Sequence, residues 1–143
     1  MHVLEYVGPV LAGLVFISIM SLVQEPARRT FNALFVGGAS AAYLSGGGFG
    51  IWELPYVAIV GCAVCYAGLR SYRWIGVAWI LHSVWDLAHH MYGNPIWPFS
   101  AQSSMGCAIM DPVLGIWFLA GAPSVFGRFR GGSARRAATG TGR

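Results

Sequence analysis

Five apolar runs, each about as long as a bilayer is thick, are separated by junctions that alternate between arginine-bearing and arginine-free. The runs are Leu4–Val23, Phe31–Phe49, Ile51–Leu69, Trp74–Met91 and Met105–Phe126. A spanning helix needs about twenty mostly apolar residues. Arg28 and Arg29 follow the first run, Arg70 and Arg73 the third, and Arg128, Arg130, Arg135, Arg136 and Arg143 the fifth. The other junctions carry none, so every positive residue falls on one side of a five-span chain. Positive charge marks the cytoplasmic side. The reading is an all-α polytopic membrane protein, a bundle of five transmembrane helices with its N-terminus out and its C-terminus in.

Composition agrees with that class. Only 10% of the 143 residues are charged and 56% are hydrophobic, where a soluble domain is about a quarter charged. The net charge of +4 rests wholly on arginine clusters between apolar runs. Such clusters suit anionic headgroups and exclude nucleic acid as the natural partner; the lipid bilayer is the partner expected. Residues 1–127 make one transmembrane domain, and residues 128–143 a disordered, basic cytoplasmic tail. The first run has no positive residue before it and no small-x-small cleavage site after it, unlike a secretory signal.

Ionisable side chains within the fourth run give the functional clue. His82, Asp86, His89 and His90 stand in an otherwise apolar helix, within an arc of roughly 100° at about 100° per residue. Burying such groups in hydrocarbon is costly, and intramembrane ionisable residues mark function by default. Asp111 on the antiparallel fifth run reaches the same depth as Asp86, in the outer half of the membrane. Glu53 sits at the outer start of the third run. Imidazole and carboxylate at i,i+3 and i,i+4 spacing suit a divalent metal, zinc or iron. His82, Asp86, His89, His90 and Asp111 are the ligand candidates, with Asp86, His82 and Asp111 the catalytic ones. One helix face rarely completes a coordination sphere, so Asp111 or Glu53 has to contribute. Two other accounts stay open: proton or small-solute movement, and a hydrogen-bonded cluster that joins helices or a partner. His89 and His90 could also simply reach the headgroup zone.

Other motifs are read as structural. Cys62 and Cys65 form C-x-x-C in an apolar setting that a redox pair does not favour. Cys107, one turn before Asp111, is a weak candidate for a soft ligand. Gly46, Gly47, Gly48 and Gly50 lack the strand and helix that a phosphate loop needs, which leaves a flexible turn over Ser45–Glu53, the third helix starting near Leu54. Gly37, Gly38, Ala39, Ser40, Ala41 and Ala42 invite close helix approach. Tyr92–Pro98 makes a rigid cap, and Ser103 or Ser104 is the expected N-cap of the fifth helix.

His89-His90-Met91-Tyr92-Gly93-Asn94-Pro95 and Ser103-Ser104-Met105-Gly106-Cys107-Ala108-Ile109-Met110-Asp111-Pro112 resemble segments of a bacterial family of small integral membrane proteins with no assigned activity. The resemblance covers about Gln24 to Ala122 and implies a membrane location and a shared polar site. Asp86-Leu87-Ala88-His89-His90 is also similar to one histidine box of the membrane desaturases, with aspartate replacing the first histidine and the other boxes missing. The alkaline ceramidase-like hydrolases have a similar His/Asp inventory around one zinc, but seven spans. Both likenesses are of chemistry alone.

Overall fold

The computed structural model describes residues 3–127; the predicted basic tail lies outside them. Among the described residues the chain is all-helical, with five principal helices: α1 (Val3–Met20), α2 (Ala27–Ala41), α3 (Gly50–Gly68), α4 (Tyr72–Tyr92) and α5 (Ser103–Leu119). They match the five apolar runs in order. A short 3₁₀ turn, Ala42–Ser45, extends α2.

One boundary and one internal stretch differ from expectation. Helical structure resumes at Gly50, not Leu54, because a 3₁₀ turn over Gly50–Trp52 leads directly into Glu53. Inside α3, Val57–Val64 winds as a π-helix, and the Cys65 thiol donates to the Val60 carbonyl five residues back at 3.0 Å. Nothing in the periodicity of an apolar run announces such wide turns.

The helices pack where side chains are missing. A Cβ on Gly37 would stand 3.0 Å from the Gly61 carbonyl, so α2 and α3 touch backbone to backbone. Gly76 of α4 faces Gly115 of α5 in the same way, with a hypothetical Cβ at 2.8 Å from the Gly115 carbonyl. The α4–α5 pair is the most extensive in the molecule. Pro112 strengthens it indirectly. Proline has no N–H for the carbonyl four residues back, and that carbonyl, Ala108, accepts the Ser83 hydroxyl of α4 at 2.8 Å.

Acidic groups lie in the interior and large apolar side chains on the surface. Three of the five acidic residues, Glu53, Asp86 and Asp111, are buried together with His82 and His89. Large apolar side chains such as Leu11, Ile51, Trp52, Ile59, Val84 and Ile116 lie exposed. The buried polar groups occupy the end near the Gly93–Gln102 loop. Towards the opposite end the core is Ala33, Val36, Ile75, Ala78, Trp79, Leu114 and Phe118. At that end Arg28 pairs with Glu25 at 3.3 Å and donates to the Tyr72 hydroxyl at 2.8 Å, which also bonds Glu25. By length and composition alone, α1 and α3 are apolar enough to cross a membrane.

Candidate metal centre

Their spacing of four residues, just over one helical turn, places His82 below Asp86 on one face of α4, and the Gly76–Gly115 approach presses that face onto α5. The result is a three-residue cluster. His82 Nδ1 lies 2.7 Å from Asp111 Oδ2 and 3.0 Å from Asp86 Oδ2. All three side chains are at most 1% exposed. One ligand atom from each falls within 4.8 Å of the others.

The hydrogen bonds around the cluster are incomplete. His82 Nε2 and Asp111 Oδ1 are buried without a hydrogen-bond partner, and Asp86 Oδ2 has only its 3.0 Å contact with His82. Buried polar atoms are rarely left unpaired, and each exception needs a reason. Charge gives the same message. Two carboxylates with at most one imidazolium leave a net negative charge in an apolar interior, and no arginine is buried beside them. An isolated buried charge is strongly disfavoured. A divalent cation with a neutral imidazole and two carboxylates sums to zero, as does one extra proton shared within the cluster.

A relay of hydroxyls secures Asp86 from the other side. The Tyr43 hydroxyl lies 2.7 Å from Asp86 Oδ1 and 2.8 Å from Ser104 Oγ. Having one proton, the phenol donates to the carboxylate and accepts from Ser104, whose oxygen also accepts the Ile96 N–H at 2.9 Å. The expected capping role of the serines is therefore corrected. The N-cap position of α5 is Gln102, with no side-chain cap, and Ser104 instead reaches across to Tyr43. Ser103 accepts the Trp97 N–H at 3.0 Å and so anchors the loop.

His89, two turns above His82, has different company. Its Nδ1 faces the Trp85 carbonyl at 2.9 Å and its Nε2 faces Glu53 Oε1 at 2.8 Å. A carbonyl only accepts, so Nδ1 carries a proton and Nε2 pairs with the carboxyl group. Glu53 Oε2 accepts the Trp85 indole N–H at 3.2 Å. The imidazole stacks on Tyr43 at 3.7 Å between ring centres, with Phe49 at 4.2 Å on its other flank. Gly47 permits this pair, since a Cβ there would lie 2.3 Å from Glu53 Oε1 and 2.6 Å from His89 Nε2.

The five expected ligands thus divide. His82, Asp86 and Asp111 converge, His89 pairs with Glu53, and half-buried His90 joins neither group. Cys107 is half-buried and stands outside the cluster. Cys65 is buried and Cys62 exposed, both as free thiols. Tyr43 has no place in the sequence reading of the site, and Ser104 stands near it there only as a cap or a headgroup contact. Their one signal was a pair of hydroxyls at the same depth as Asp86 on neighbouring helices.

Fold and site together define a compact helical bundle whose interior holds a His/Asp cluster beneath a glycine-walled cap. The chain belongs to the family of unknown function DUF6010, which matches residues 4–124. No curated protein and no solved structure matches it.

Proposed function

We propose that this chain is a five-span integral membrane protein, N-terminus outside, that holds a divalent metal at His82, Asp86 and Asp111 in the outer half of the bilayer. The membrane reading is supported by the apolar exterior, the buried acids and, among the described residues, Arg28, Arg29, Arg70 and Arg73 gathered at one end of the bundle. α2, α4 and α5 fall short as spans by composition or length for identifiable reasons. α4 buries His82, Asp86 and His89 in the interior, which lowers its mean hydropathy, and α2 and α5 are 15 and 17 residues long.

The observation that carries the metal reading is the convergence of His82, Asp86 and Asp111, all fully buried, with one ligand atom from each within 4.8 Å of the others. Zinc bonds to nitrogen and oxygen of about 2.0–2.2 Å require donors about 3–4 Å apart, which side-chain rotation supplies from the present spacing. Three protein ligands leave a position open for substrate or water, the arrangement of catalytic rather than structural sites. The ion would supply Lewis acidity to a reaction on a lipid-like substrate. Movement of protons or solute across the membrane is less favoured, because Trp79, Ile75, Leu114 and Phe118 close the interior below His82.

Metal analysis of the purified full chain tests this reading. Wild type should carry about one zinc or iron per chain, and Asp86→Ala should lose it. A wild type without stoichiometric metal overturns the proposal and leaves a cluster that only joins helices.

A further inference from the structure

Beside the cluster, on the outer surface of the bundle, runs a groove of about 710 Å³ lined by Phe49, Trp52, Pro55, Tyr56, Ile59 and Trp85. Its lining has no charged side chain. Trp52 and Ile59 are 69% and 60% exposed. The groove follows the start of α3, from Trp52 to Ile59, and reaches the π-helical stretch only at Ile59. Its back wall is one ring thick. Tyr56 stacks on Trp85 at 4.4 Å with 5° between planes, and behind them lie His82, 6.4 Å from Tyr56, and His89, 5.2 Å from Trp85.

We propose that this groove binds an acyl chain of an outer-leaflet phospholipid and delivers it alongside the His82–Asp86–Asp111 cluster. The inference rests on the membrane reading given above and names the substrate class for the same site. The groove lies at the depth of outer-leaflet hydrocarbon, so its natural occupant is a lipid tail. Rigid aromatic walls offer such a chain large contact area at little entropic cost. Its size falls within the range of ligand pockets, about 300–1,000 Å³. Trp85 and Glu53, joined at the upper end, mark the level at which the lipid's polar part would meet protein hydrogen bonds.

A phosphatidylcholine with a photoactivatable group in its acyl chain tests the proposal with the full chain in liposomes. Mass spectrometry should place adducts on Phe49–Ile59 and Trp85 about tenfold above equally exposed Leu11 and Val15 of α1. Ile59→Trp, which fills the groove from an exposed position, should remove that preference, and Ile59→Ala should keep it. Even labelling around the bundle, or labelling that Ile59→Trp leaves unchanged, overturns the proposal. Metal content read on the same samples separates the two ideas. Selective adducts on metal-free wild type leave the groove standing without the metal, and metal with even labelling does the reverse.

Discussion

Replacing Gly76 with alanine puts the packing that builds the site under direct strain. The new Cβ would stand 2.8 Å from the Gly115 carbonyl oxygen and 2.8 Å from the Leu119 backbone nitrogen, against about 3.4 Å for an ordinary contact. Both obstacles are backbone, so no side chain can swing away. Relief requires α4 and α5 to part by about 0.6 Å at this level. His82 lies six residues further along α4, about 9 Å away at 1.5 Å per residue. A rigid displacement therefore reaches it and stretches the 2.7 Å His82–Asp111 contact to about 3.3 Å, at the margin of a hydrogen bond. Overpacking of this kind costs about 1–3 kcal/mol, offset by up to about 1 kcal/mol from alanine's better helix propensity. Gly38→Ala is the control, since nothing lies within 4 Å of its Cβ; it should be neutral or stabilising by up to about 1 kcal/mol. Thermal unfolding of both variants in detergent measures the contrast. If Gly76→Ala is as stable as Gly38→Ala, α4 and α5 do not approach as described, and the convergence of His82 with Asp111 loses its basis.

Other substitutions probe the site and its setting. Tyr43→Phe removes the hydroxyl that holds Asp86 and should weaken metal affinity about 10–100-fold with helical content unchanged, read by competition with a fluorescent chelator. Gly47→Ala forces Glu53 and His89 apart and should cost about 1–3 kcal/mol in thermal unfolding. In a Glu53→Ala background that cost should shrink, because the side chain that the new methyl meets at closest range is gone. A fluorescent protein fused to the C-terminus should fluoresce in cells, and an alkaline phosphatase fusion at the same point should be inactive; the opposite pattern refutes the orientation.

The apolar runs placed all five helices in order, because helix length is a property of the local chain. The matching depth of Asp86 and Asp111 followed from helix rise and antiparallel direction, and the two carboxylates do meet across His82. Depth alone did not assign partners. His82 and His89 share a face of α4, yet one meets α5 and the other the start of α3, since Glu53 begins its helix at a higher level than Asp111. The π-helical turns of Val57–Val64 and the approach of Tyr43 depend on long-range packing that no periodicity encodes. The serines before α5 looked like helix caps because local chemistry favours that role. Tertiary contacts with Tyr43 and the loop backbone claimed them instead.

X-ray absorption spectroscopy of the purified, metal-loaded protein tests the central claim most directly. The ligand set His82, Asp86 and Asp111 predicts one imidazole nitrogen and two or more oxygens at about 2.0–2.2 Å, with no sulfur at about 2.3 Å. A sulfur shell would transfer the site to Cys107. Two or more imidazoles would bring in His89 or His90 and contradict the geometry from which the site is built.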